Sequence, residues 1–151
     1  MKRALTLFSL YVTQYVGVGF VTVGLVAILR DGGTSLDTLG ALTLIGLIWP
    51  LKVLWAPLVD RYGTYRGWLL VLQTGLVLAL LALLPFRRPG ESLGAVAVVC
   101  AGYVLLSATQ DIAVDGLAVR LLLAGERGLG NGVQLAGVSF GTVLGGGVCA
   151  A

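Results

Sequence analysis

The sequence contains no histidine, which excludes imidazole acid–base catalysis and histidine-ligated metal sites. Its two cysteines, Cys100 and Cys149, both fall inside apolar runs. Buried free thiols are expected there rather than a disulfide, and two thiols are too few for a thiolate metal cluster. Charge is also scarce: 11% of the 151 residues are charged, against about 25% in a soluble domain. Ten basic and seven acidic side chains leave a net charge of +3, and no Lys/Arg-rich run with interleaved aromatics points to nucleic acid. No zinc signature or serine elbow is present, and Gly130 and Gly132 follow no strand that would make them a phosphate loop. What the chain does have is apolar bulk. With 58% hydrophobic residues and 23 glycines, it belongs to the bilayer class.

Apolar stretches cover about residues 4–29, 36–58, 67–86, 93–121 and 129–151. Each reaches the roughly 20 residues needed to cross the hydrocarbon core as a helix. The fold class expected is therefore all-α and polytopic: one bundle over residues 1–151, with five transmembrane helices. The first run, behind Lys2 and Arg3, is too long for a signal-peptide core and carries no cleavage pattern, so it reads as a retained helix. Between the runs lie short loops at Arg30–Gly33, Asp60–Arg66, Arg87–Glu91 and Gly125–Gly128. A cytoplasmic amino terminus puts Lys2, Arg3, Arg61, Arg66, Arg120 and Arg127 inside, against Arg30, Arg87 and Arg88 outside, the bias expected of cytoplasmic loops. Trp55, Tyr62, Tyr65 and Trp68 then gather at the inner boundary, where amphipathic rings settle. The fifth helix would end outside at Ala151 without a polar tail, so the chain reads as truncated.

Ionisable side chains inside these runs are the functional signal, because a charge in hydrocarbon is costly and usually faces a polar cavity. Lys52 lies eight residues before Asp60, and Asp111 nine before Arg120. At 1.5 Å per residue they sit about 12 Å and 13.5 Å from the inner boundary, near the midplane of a core about 30 Å thick. The two side chains are expected to approach each other or to share a cavity. Tyr103, Ser107, Asp111 and Asp115 repeat every four residues and share one helix face. Gln14 and Tyr15 on the first helix and Gln134 on the fifth reach similar depth. These polar groups either face substrate or bond between helices, and Lys52 with the two aspartates either couples transport or forms a structural ion network.

Pro50, four residues after Gly46, predicts a kink beside Lys52. Gly137, Gly141 and Gly145 have the small-xxx-small spacing of close helix packing. With no sixth span in the chain, that face is expected to await a helix from elsewhere.

The stretch Leu51-Lys52-Val53-Leu54-Trp55-Ala56-Pro57-Leu58-Val59-Asp60-Arg61-Tyr62 resembles the signature of AmpG-type muropeptide permeases, members of the major facilitator superfamily. Arg66-Gly67-Trp68-Leu69-Leu70, Ser107-Ala108-Thr109-Gln110-Asp111-Ile112-Ala113-Val114-Asp115 and Glu126-Arg127-Gly128 continue the resemblance in order and spacing, over roughly residues 35–147. The helix-four phrase, followed by Asn131-Gly132-Val133-Gln134-Leu135-Ala136-Gly137, is also similar to the acetyl-coenzyme A transporters of that superfamily. The first helix and the shorter Gly63-Thr64 loop depart from the permeases.

This resemblance implies five helices of the first half of a twelve-helix transporter that works by rocking. The implied activity is proton-coupled import of an anhydro-amino-sugar peptide across the cytoplasmic membrane, without a cofactor or metal. Its partners would be the solute, protons, the lipid bilayer and the missing helices. Asp111 is the expected proton-carrying acid, and Asp115 shares its charge or pairs with Arg120. Asp60 and Arg61, with Arg66 and Arg120, would close the inner gate, Asp60 engaging helix four. The alternatives are an acetyl-coenzyme A or other organic-anion transporter and, in another class, a non-transporting membrane assembly or receptor protein. An enzyme is not expected.

Overall fold

The computed structural model describes residues 2–86 and 92–147. The expected Arg87–Glu91 loop, Cys149 and the end of the fifth run at 148–151 lie outside the described residues, as do the side chains of Lys2 and Arg127. Among the described residues every regular element is helical. Helix α1 (Lys2–Gly19) passes through a π-helical turn, Phe20–Gly24, into α2 (Leu25–Asp31). The second run is α3 (Leu36–Thr43), α4 (Ile48–Leu51) and α5 (Ala56–Arg61), joined by 3₁₀ turns at Leu44–Leu47 and Lys52–Leu54. Then follow α6 (Tyr65–Leu81), α7 (Leu93–Leu121) and α8 (Arg127–Gly147).

Residues 3–31, 36–54 and 93–121 are long and apolar enough to cross a membrane, whereas the apolar α6 has 17 residues. The chain is thus a polytopic all-α membrane protein. Hydroxyls inside the spans bond back to their own helix, as Thr13 Oγ1 does to the Ser9 carbonyl at 2.7 Å and Thr22 Oγ1 to that of Val18 at 2.7 Å, so little polar surface faces lipid. Leu44, Leu47, Val53 and Leu54 of the second run, with Leu70, Val71 and Leu78 of α6, are exposed. Apolar surface of that extent needs lipid or another helix to cover it.

The second run is not one helix. The break comes beside Lys52, as Pro50 predicts, but it spreads over two 3₁₀ turns on either side of α4 rather than forming one kink. Proline removes a backbone donor and crowds the preceding turn, and Pro57 restarts the helix within the first turn of α5.

The glycine stripe of α8 is already occupied, which corrects the expectation of a face left open. A Cβ on Gly137 would lie 2.8 Å from Tyr11 Cβ, one on Gly141 2.8 Å from the Val12 carbonyl oxygen, and one on Gly145 1.8 Å from that of Val16. The spacing does bring two backbones together, but the partner is α1 of the same chain.

Two apolar cores form, one at each end of the bundle. At the end where α1 begins, here the near end, Leu7, Tyr11, Val59, Leu69, Ile112, Ala113 and Val114 pack together. At the far end Val21, Leu25, Leu29, Leu39, Leu76, Val96, Cys100 and Tyr103 do so. Between them on α1 and α7 lies a layer of buried polar side chains: Gln14, Ser107, Gln110 and Asp111.

Candidate functional site

That polar layer is built by three elements. Helix α7 presents Asp111 and, one turn on, Asp115; α1 presents Tyr11, Gln14 and Tyr15; and the 3₁₀ turn after α4 presents Lys52. Lys52 Nζ forms an ion pair with Asp111 Oδ2 and stands 3.9 Å from Asp115 Oδ2. The approach expected from equal depth is therefore present. Asp111 is also held by Gln14, whose Nε2 donates to Asp111 Oδ1 at 3.4 Å and to the Ser107 carbonyl at 3.2 Å. Asp115 Oδ1 accepts from the Tyr11 hydroxyl at 2.6 Å and from Gln134 Nε2 on α8 at 3.5 Å. Four helical elements thus converge on two carboxylates and one ammonium. Hydrogen bonds of this kind are what a buried charge needs to be tolerated.

The other expected residues divide. Tyr15 is half-buried and packs its ring on Trp49, centroids 5.9 Å apart. Gln14, Tyr103 and Ser107 are buried in the contact between α1 and α7, and the Tyr103 hydroxyl donates to the Gln14 carbonyl at 3.4 Å. Gln134 borders a cavity of about 290 Å³ at the near end, together with Leu7, Tyr11, Asp115, Leu122 and Asn131. A second, apolar cavity of about 210 Å³ lies beyond the polar layer, lined by Val18, Leu25, Leu42, Trp49, Val96 and Cys100 among others.

At the near end, the alternative pairing of Asp115 with Arg120 is not what the structure shows. Arg120 lies over the ring of Tyr65, 4.6 Å from its centroid, because five residues of helix separate it from Asp115 and turn it to another face. The Tyr65 hydroxyl donates to Asp60 Oδ1 at 2.9 Å. Asp60 therefore reaches α7 through Tyr65 and Arg120. Gly116 makes room for that ring, since a Cβ there would lie 2.6 Å from Tyr65 Cζ. Arg61, at the end of α5, and Arg66, in the first turn of α6, are exposed on either side of the turn that joins these helices.

Sequence reasoning gives no site role to three residues that the structure makes central: Tyr11, Gln110 and Tyr65, the last read only as a boundary aromatic. Gln110 is fully buried and donates to Gln14 Oε1 at 3.4 Å. Its polarity within an apolar helix is the available signal, but it lies off the four-residue stripe. Tyr11 precedes Tyr15 by four residues and so shares its face. Trp55 Nε1 adds a bond to Thr109 Oγ1 at 3.1 Å, tying the Lys52 segment to α7.

The sequence is similar to several known proteins. Over 119 residues, 76% of this chain, it is 37% identical to the anhydromuropeptide permease of Escherichia coli. It is 36% identical over 125 residues to an uncharacterized protein of Haemophilus influenzae, and 32% identical over 100 residues to putative transporter AmpG 3 of Rickettsia prowazekii. These matches cover 80% and 60% of this chain respectively. The chain spans about a quarter of the length of these relatives, 24%, 29% and 24% in turn. No family model matches, and no solved structure matches significantly. Over most of its length, the chain is similar in sequence to AmpG-type permeases, which belong to the major facilitator superfamily.

Proposed function

We propose that the chain supplies five spans of the first half of a secondary active transporter, and that this transporter imports anhydro-amino-sugar peptides into the cytoplasm with protons. The observation that carries the reading is the ion cluster of Lys52, Asp111 and Asp115, set in a sequence similar to a permease named for anhydromuropeptides. A buried ion pair contributes little net stability relative to apolar side chains of the same size, so its presence deep in a span favours a role in transport over a role in folding.

In this reading the amino terminus and the near end face the cytoplasm, in the inner membrane. Lys52, Asp111 and Asp115 form the coupling centre, with Gln14 and Tyr11 holding the carboxylates. Asp60, Tyr65 and Arg120, joined by a hydrogen bond and a ring stack, close the near end and part when the two halves rock; Arg61 and Arg66 flank that gate. Tyr15 and Gln134 are placed to meet solute. Gln14, Tyr103 and Ser107, being buried, act by fixing α1 against α7. The chemistry of the site is proton exchange and solute binding, without covalent catalysis.

The test is uptake of labelled anhydromuropeptide into vesicles containing the full-length gene product, with and without an inward proton gradient, beside acetyl-coenzyme A. Gradient-stimulated uptake of the first supports the reading. Uptake of the second alone would move the protein to the organic-anion class, and uptake of neither would favour a non-transporting membrane protein.

A further inference from the structure

The charge count of the cluster does not close. Asp111 and Asp115 carry two negative charges when ionised, and among the described residues Lys52 is the cation paired with them. Arg3 donates to the Leu121 carbonyl at 3.0 Å and Arg120 lies over Tyr65, so both are engaged elsewhere. One negative charge is left over, and within a membrane that is costly unless water, a proton or another cation meets it.

The two carboxylates are unequal in access. The Asp111 side chain is 6% exposed, sealed by Lys52 and Gln14, whereas that of Asp115 is 44% exposed. Asp115 borders the near-end cavity of about 290 Å³, and Asp111 is not among the residues lining it. The groups facing Asp115 from each neighbouring element are Tyr11 on α1, Lys52 on the 3₁₀ turn, Asp111 on its own helix, and the uncharged Gln134 on α8, with Asn131 at the cavity wall. None of them supplies a second positive charge.

We infer that Asp115 is the residue that exchanges the coupling proton with the cytoplasmic side, through the cavity between α1, α7 and α8, while Asp111 stays ionised as the fixed partner of Lys52. This rests on the proton-coupled reading above, and it moves the exchanging proton from Asp111, favoured by depth alone, to Asp115. The step is a plain proton transfer. A hydronium ion in the cavity gives its proton to an Asp115 carboxylate oxygen and leaves as water, and the reverse transfer releases the proton. With Asp115 protonated the cluster is neutral overall, and a neutral cluster can be cut off from water when the near end closes. With Asp115 ionised, closure strands a charge. The transporter would then close only when loaded.

Two experiments on the full-length protein test this. In vesicles, Asp115→Asn should lose stimulation by a proton gradient while Asp115→Glu keeps it, and Asp111→Asn should keep stimulation at a reduced rate. Stimulation that survives in Asp115→Asn, or that is lost only in Asp111→Asn, would overturn the assignment. If the wild-type protein shows no stimulation at all, the coupled reading itself fails. The second experiment needs no variant. Dicyclohexylcarbodiimide adds to protonated carboxyls in apolar surroundings, and mass spectrometry after labelling should find Asp115 modified increasingly as pH falls, with Asp111 unmodified. Labelling confined to Asp111, or absent from both across the pH range, would contradict it.

Discussion

Replacing Lys52 with methionine keeps an unbranched stem to fill the same space but removes the ammonium. Asp111, 6% exposed at its side chain, then loses its ion-pair partner and keeps only the weak 3.4 Å bond from Gln14. Breaking a buried pair from one side typically costs about 3–5 kcal/mol. The lower end, about 3 kcal/mol, applies here, because the Lys52 side chain is itself 28% exposed and water screens part of the interaction. The reverse change, Asp111→Asn, should cost less, about 1–2 kcal/mol, because Lys52 retains Asp115 at 3.9 Å as an alternative partner. The double variant leaves only Asp115, 44% exposed at its side chain, without its cation and should be less destabilised than Lys52→Met alone, which strands both carboxylates. The four proteins define a double-mutant cycle, read by reversible unfolding in bicelles, with a coupling of at least about 1–2 kcal/mol expected. Additivity within about 0.5 kcal/mol would show that the pair is not energetically coupled and would refute the reasoning.

Three further outcomes follow from the packing and the gate. Gly145→Ala places a methyl 1.8 Å from the Val16 carbonyl oxygen and 2.9 Å from the Phe20 nitrogen; both are backbone, so overpacking should cost at least about 2–3 kcal/mol in the same assay. Gly132→Ala meets nothing within 4 Å and should be neutral or stabilising by up to about 1 kcal/mol through helix propensity; equal effects at the two positions would contradict the α1–α8 packing. Asp60→Asn and Tyr65→Phe each alter one end of the same 2.9 Å hydrogen bond, so both should lower vesicle uptake while leaving membrane insertion intact, and wild-type uptake by both would remove the gate assignment.

How much of this was legible in the sequence depends on whether a feature is set by rise along one helix or by the choice of neighbour. Helix α7 begins and ends at the expected residues, Leu93 and Leu121, because an apolar run bounded by charged loops leaves little latitude. The Lys52–Asp111 pairing follows from counting 1.5 Å steps on two helices from a common boundary. The glycine spacing on α8 foretells a close approach but not which backbone arrives, since any helix satisfies small-xxx-small. For the same reason the partner of Arg120 was not legible: a guanidinium is drawn equally by a carboxylate and by an aromatic face, and only the packing of α6 on α7 puts Tyr65 beneath it. The π turn at Phe20–Gly24 left no pattern in an unbroken apolar run. Tyr11 and Gln110 escaped notice because single polar side chains in such runs become meaningful only once α1 is known to lie on α7.

The central claim is that the Lys52–Asp111 pair is kept for transport rather than for folding. The double variant Lys52→Met with Asp111→Asn tests it most directly, because it removes the pair and leaves only the half-exposed Asp115 without its cation. Measured in proteoliposomes at equal protein content, with insertion and stability checked in parallel, it should be well folded yet take up solute at least about tenfold more slowly, a loss of about 1.4 kcal/mol or more in the transport barrier. Uptake at the wild-type rate by that folded double variant would contradict the account and leave the cluster a structural ion network.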